Sequence, residues 1–188
     1  MSVVAIIPAR FDSTRFPGKP LALLGGKPMI QHVYERASLA KMPDAVVVAT
    51  DDSRIADTVK TFGGDVMMTS STHKTGTDRL AEAARSMSAS IIVNVQGDLP
   101  YFPPSMVDDA IVKLQTTSDA VIATVKTPIF NSRDLINPNV VKVVADQNGF
   151  ALYFSRSPIP FLREVAGQDP TNNSILAYRH VGMYVYRR

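Results

Sequence analysis

Cysteine and tryptophan are both missing from the 188 residues. Without cysteine there is no disulfide scaffold, no thiolate-bound zinc, no iron–sulfur cluster and no thiol nucleophile, and the composition sits most easily in a reducing cytosol. Any metal must then bind oxygen or imidazole. Long apolar runs are scarce too: near the N-terminus only Val3 to Ile7 qualifies before Pro8 and Arg10, too short for the apolar region of a signal peptide or for a bilayer span. The expectation is a cytosolic chain with no membrane partner. A large charge excess is also lacking, since 20 Lys and Arg against 17 Asp and Glu leave +3. The sequence pI of about 9.2 hints at nucleic acid, yet no basic stripe is interleaved with aromatics as in single-strand binders. Basic residues are scattered except at Arg10, Arg15 and Lys19, a clustering that suits a small anion better than a long polyanion. No nucleic-acid partner is expected. What is present is 45% hydrophobic residues, with 10 Gly and 13 Pro that show no period. That suffices for one globular domain, or one with a lobe attached, and excludes fibrous and disordered chains.

Val3-Val4-Ala5-Ile6-Ile7 is a continuous β-prone run ended by Pro8, the pattern of a strand buried on both faces, and 46 to 50 and 91 to 95 repeat it. Helical patterns fall between them. Pro28 opens one with Ile30, Val33, Tyr34 and Ala37 inward; Ile55, Val59 and Phe62 mark a second, stopped by Gly63-Gly64; Leu80, Ala83, Ala84 and Met87 mark a third. Pro104 opens a fourth with Val107, Ala110, Ile111 and Leu114 inward. Such alternation predicts an α/β fold with a mostly parallel, Rossmann-like sheet and helices on both faces. After Val125 the texture changes to short runs at 140 to 145, 150 to 154 and 181 to 186, and Gln147-Asn148-Gly149 reads as a hairpin turn. The C-terminal half is therefore expected to carry a mixed, antiparallel portion, with a polar surface loop over 163 to 174.

Chemistry is expected beyond the carboxyl ends of the strands, where open parallel sheets bind ligands. Arg10, Arg15 and Lys19 follow the first strand within ten residues, and a triphosphate needs several cationic partners. Ser13, Thr14 and Gly18 add hydroxyl and backbone donors; a solvated loop with ordinary surface charges is the plainer alternative. It is not a Walker A loop, because the spacing G-x-x-x-x-G-K-S/T is absent and Gly25-Gly26-Lys27-Pro28 lacks the hydroxyl. The third strand ends in Gln96-Gly97-Asp98. Asp98 is the candidate Mg²⁺ ligand, facing the cationic loop across the sheet, although a turn aspartate satisfying backbone N–H groups reads the same way. Asp51-Asp52 fits a helix cap better than a site. Thr75-Gly76-Thr77-Asp78-Arg79 opens the third helix, where N–H groups and hydroxyls suit either a base or sugar edge or simple capping. His32 reads as a surface residue of the first helix, and His73 and His180 lack zinc-site spacing.

These strings, IIPARFDSTRFPGKPL (6 to 21), GKPMIQHVYERA (26 to 37), VVVATDD (46 to 52), GTDRLAE (76 to 82), NVQGD (94 to 98), YFSRSPIPF (153 to 161) and YRHVGMYVYRR (178 to 188), closely resemble the 3-deoxy-manno-octulosonate cytidylyltransferase family. The resemblance runs nearly end to end. It implies a nucleotide-diphospho-sugar transferase-like fold, in one nucleotidyltransferase domain with a nucleotide-binding half (1–125) and a sugar-binding half (126–188). The implied reaction transfers CMP from CTP to the anomeric hydroxyl of 3-deoxy-manno-octulosonate (Kdo) for lipopolysaccharide synthesis, with Mg²⁺ and a homodimeric enzyme. By the same resemblance Arg10, Ser13, Arg15 and Lys19 hold the triphosphate, and Thr75, Gly76, Thr77 and Arg79 lie at the nucleotide. Gln96 faces the sugar, Asp98 binds Mg²⁺, and Arg156, His180 and Tyr184 form the sugar-acid pocket, with Arg156 on the carboxylate.

Two departures stand out. The family string is usually QGDEP, whereas Leu99 here replaces the acidic residue beside the metal ligand. Family members also continue for several dozen residues past Arg188, with a second magnesium-binding aspartate, further sugar contacts and much of the dimer surface. The expectation is a truncated chain with weaker Mg²⁺ binding and reduced activity. Transfer to a related acid such as 8-amino-Kdo, and nucleotide binding with little or no turnover, are the alternative readings.

Overall fold

The computed structural model describes residues 1–12, 16–162 and 174–188; the contacts expected of Ser13 and Arg15, and nearly all of the 163 to 174 loop, lie outside the described residues. The chain divides into two compact units, Met1–Ala123 with Met183–Arg188, and Thr124–Gly182.

The first unit alternates strand and helix. β1 (Val3–Ala9) leads through a 3₁₀ turn (Lys19–Leu21) into a small hairpin of β2 (Leu23–Leu24) and β3 (Lys27–Pro28), then α1 (Met29–Ser38). β4 (Ala45–Thr50), α2 (Ser53–Thr61), β5 (Asp65–Met68), α3 (Gly76–Arg85), β6 (Ile91–Asn94) and α4 (Ser105–Thr116) follow. Parallel pairing sets the order β5-β4-β1-β6. The chain winds outward from β1 through β4 and β5, then returns to β6 on the other side, so β1 and β6 flank the point where the strand order reverses.

The apolar runs become these strands because both sheet faces are covered. Val4 and Ile6 of β1 pack with Ala49, Ile92 and the α3 residues Leu80 and Ala83. Ile7 points the other way, and together with Ile30 of α1 it lies close to Gly97. Ile6, Ile7, Ile30, Ile55, Ile91 and Ile111 are all fully buried, and each such side chain contributes about 1.5–3 kcal/mol by leaving water. The sequence places the end of β1 at Pro8, whereas the strand continues to Ala9, with Pro8 opposite Ala49. Ile6 accepts from Val95 N on the β6 side, so the alternating pleat turns the position where Pro8 lacks an N–H toward that side too, beyond the last β6 residue paired with β1. No ladder bond is lost. Gly25-Gly26, with φ of 55° and 85°, forms the turn of the β2–β3 hairpin.

The second unit holds most of β7 (Ile122–Ile129), α5 (Ser132–Ile136), β8 (Lys142–Ala145), β9 (Ala151–Ser155) and the first half of β10 (Ala177–Arg187). β8 and β9 form the expected antiparallel hairpin. Asp146 closes its turn, the carboxylate accepting from Asn148 N and Phe150 N. β8 pairs with Tyr178 and Arg179 of β10, and Ile129, Leu135, Leu176 and Ala177 form a small core. The last residues of β10, Tyr184 to Arg187, pair antiparallel with β6 in the first unit. Among the described residues, no helix is long and apolar enough to cross a membrane.

Candidate active site

The carboxyl ends of β1 and β6 and the N-terminus of α3 surround a cavity of about 470 Å³. Arg10, Lys19, Gly76, Arg79, Gln96 and Asp98 all line it, together with Phe16, Pro20 and Gly97. Six residues singled out from sequence thus converge on one cleft within the first unit. At its centre Lys19 Nζ donates to Asp98 Oδ2 at 2.7 Å across 79 residues of chain. Gly18, at φ 71°, turns the chain so that Lys19 starts the 3₁₀ turn. A Cβ at Gly97 would stand 3.2 Å from the Pro8 carbonyl oxygen, so glycine is what lets the β6 loop close against β1.

Arg10 is exposed, and its Nη1 donates to the Lys74 carbonyl at 3.0 Å. Arg79 behaves differently: it is only 2% exposed, and its guanidinium donates to Asp51 Oδ2 at 2.9 Å, Thr69 Oγ1 and the Ser70 carbonyl. It is a wall of the cavity rather than an open hand. Asp51, set aside in the sequence as structural, is therefore the ionic anchor of that wall, while Asp52 caps α2 by accepting from Arg54 N at 2.9 Å. Its hydrogen bonds to Arg54 hold the Asp52 carboxyl below the usual range.

Thr75 caps α3 in a reciprocal box with Asp78, donating its hydroxyl to Asp78 Oδ2 and accepting from Asp78 N. The hydroxyl bond from Thr75 leads the causes that keep the Asp78 carboxyl below its ordinary value. Thr77 is exposed on the first turn and takes no part in the cap. Glu82 reaches back from α3 to accept from Ser70 N at 3.0 Å and to pair with His73. Those two contacts, the backbone one first, hold its carboxyl low. The 69 to 75 segment that carries the Arg10 acceptor is thus pinned by three α3 side chains.

Of the sugar-acid residues, Arg156 and His180 belong to the second unit and Tyr184 to the first. Gln96 donates to Asn94 Oδ1 at 3.2 Å, and Asn94 is the register partner of Tyr184. Burial, then Tyr186, raises the Tyr184 phenol above its usual value, which keeps it a neutral donor. Arg156 Nη1 donates to the Pro138 carbonyl at 2.8 Å. His180 Nε2 lies 2.8 Å from Thr124 Oγ1, with the Phe154 ring edge-on at 4.9 Å.

Burial holds the His180 imidazole below its ordinary value of 6.5. Between the lowered folded value and 6.5 the unfolded chain binds the proton more readily. Stability from the neutral ring is fully present above the unfolded value and is lost as pH falls through the folded one. Calorimetric melting from pH 7.5 to 5, on the ordinary His titration range, is therefore expected to show a Tm decline that is steeper in the wild type than in His180→Gln. Parallel declines in the two proteins would refute the assignment.

Comparison with known proteins decides the family. A family profile described as cytidylyltransferase matches residues 4–188. The 3-deoxy-manno-octulosonate cytidylyltransferase of Geobacter sulfurreducens is 55% identical over 192 residues, covering 100% of this chain and 77% of the relative. The chain belongs to the 3-deoxy-manno-octulosonate cytidylyltransferase family. A second member, from Pelobacter propionicus, is 54% identical with 100% and 75% covered. A solved structure described as CMP:2-keto-3-deoxy-manno-octonic acid synthetase complexed with CTP superposes with a TM-score of 0.89 at 42% identity, covering 100% of this chain and 74% of that one. That superposition puts the α/β architecture described above, with its mostly parallel sheet, within the family's fold.

Proposed function

We propose that the chain transfers CMP from CTP to the anomeric hydroxyl of Kdo, giving CMP-Kdo and pyrophosphate for lipopolysaccharide synthesis. The observation that carries this reading is the Lys19–Asp98 contact at 2.7 Å inside the cavity at the strand-order reversal, supported by the family the chain belongs to. One bond forms, from the sugar oxygen to the α-phosphorus; one breaks, from the α-phosphorus to departing pyrophosphate; and the hydroxyl proton is released.

In this reading the first unit binds the nucleotide. Arg10 and Lys19, with Ser13 and Arg15, hold the triphosphate and offset charge gathering on the leaving pyrophosphate, a contribution made by groups already in place. Gly76 and the α3 N-terminus face the nucleoside, with Thr75 and Arg79 shaping the wall. Gln96, Arg156, His180 and Tyr184 take the sugar acid, Arg156 on its carboxylate, where planar bidentate pairing is strongest.

The fold family implies Mg²⁺, and the donor set fits it. Asp98 supplies a hard carboxylate, half exposed, at the cavity, and Mg²⁺ is commonly held by one or two carboxylates plus substrate phosphate oxygens. When bound, the ion would neutralise phosphate charge. The same reading carries the expectation of a homodimer working in the cytosol. The test is pyrophosphate release from CTP with and without Kdo, read beside calorimetric CTP binding. Kdo-dependent release is expected; CTP binding with no release would leave a nucleotide-binding module instead.

A further inference from the structure

Lys142 is a charged residue in an apolar strand, between Val141 and Val143, and it is 0% exposed. Its hydrogen-bond partners are three carbonyls: Val140 at 2.7 Å, Asn137 at 3.0 Å and Arg156 at 2.6 Å. An ammonium has three N–H donors, and here all three are spent on main-chain oxygens. Burying a lone cation is unfavourable, and a methionine of similar length would avoid that cost. Lysine adds three fixed directions that methionine lacks. Burial, then the Arg156 charge, pushes the ammonium below its ordinary value.

Those directions converge on one residue. The Asn137 and Val140 carbonyls belong to the turn between α5 and β8, and the Arg156 carbonyl follows β9, where Ser155 stands opposite Lys142 in the ladder. From its other end Arg156 donates Nη1 to Pro138 O in that same turn. Lys142 therefore fixes both the main chain from which Arg156 springs and the turn against which its guanidinium rests. The Pro138 contact uses one of five N–H donors, so a fork remains for a carboxylate.

We propose that Lys142 is a positioning residue for sugar-acid recognition: by clamping the Arg156 carbonyl to the 137–140 turn, it sets the direction in which the guanidinium meets the substrate carboxylate. The proposal rests on the reading above that Arg156 pairs with that carboxylate. The test is calorimetric titration of Kdo, with a non-reactive CTP analogue present, and separately of CTP. It compares the wild type, Lys142→Met, Arg156→Ala and the double variant, with folding checked by circular dichroism.

Lys142→Met is expected to weaken Kdo about tenfold, in keeping with the steep cost of small misplacements, and to leave CTP within about twofold. In the double variant the losses should not add, because both act through one contact, so Kdo affinity stays within about twofold of Arg156→Ala alone. Unchanged Kdo affinity in Lys142→Met, an equal loss for CTP, or full additivity would overturn the positioning role while leaving Arg156 in place. Unchanged Kdo affinity in Arg156→Ala would remove the Arg156 contact and this proposal together. Should Lys142→Met fail to fold, Lys142→Leu, which likewise has no N–H donor, is read by the same criteria, and wild-type affinity there would equally overturn the role.

Discussion

Asp98→Asn is expected to lower kcat/KM for Kdo-dependent CMP transfer by about two to three orders of magnitude, the range seen when one charge-stabilising group is removed from an active site. Asparagine keeps the shape and one oxygen but removes the negative charge that holds Lys19 Nζ at 2.7 Å. It also removes the hard carboxylate proposed for Mg²⁺. Stability should respond quite differently. The two side chains are 37% and 51% exposed, and an ion pair so open to water contributes about 0–1 kcal/mol at most. For a chain of this length that is worth only about 2–4 °C in Tm. Steady-state kinetics beside thermal melting separates the two effects. A fall in activity of less than about tenfold with Tm unchanged would show that Asp98 is a turn aspartate after all.

That Lys19 and Asp98 could be paired from sequence has a simple cause. Each follows a strand whose apolar run is continuous because both faces are buried, and in a parallel sheet those carboxyl ends share an edge. Covered strands such as β1, β4 and β6 announce themselves. By contrast β5 is four residues of intermediate or exposed character at the sheet edge, and α5 is a single turn capped by Asn131 accepting from Asp134 N. Neither is long enough to show a period. Arg79 could be placed at the start of α3 from sequence but not read as buried, since nothing local to α3 says that Asp51, after β4, and Thr69, after β5, will meet its guanidinium. Lys142 did carry a signal: a lone lysine inside Val140 to Val144 breaks an apolar run, which asks for buried partners. Those partners are carbonyls, which every residue has, so no side-chain pattern could name them.

The other large effect is on stability, at Asp51. Removing its carboxylate by Asp51→Ala leaves the Arg79 guanidinium, 2% exposed, with only the neutral acceptors Thr69 Oγ1 and Ser70 O. Breaking a buried pair from one side costs about 3–5 kcal/mol. The Asp51 side chain is 21% exposed, so water relieves part of the penalty, and about 2–3 kcal/mol is expected, a Tm drop of roughly 5–10 °C. The double variant Asp51→Ala/Arg79→Leu removes the stranded charge as well, and should recover most of that Tm, because apolar replacement of a whole buried pair is close to neutral. Activity should not recover with it. Arg79 also holds the 69 to 75 segment, whose Lys74 carbonyl receives Arg10, so the double variant is expected to melt near the wild type yet show a raised KM for CTP. Recovery of both would mean that Arg79 supports the fold alone; loss of both would mean that the charge itself, and not its partner, is what the wall requires.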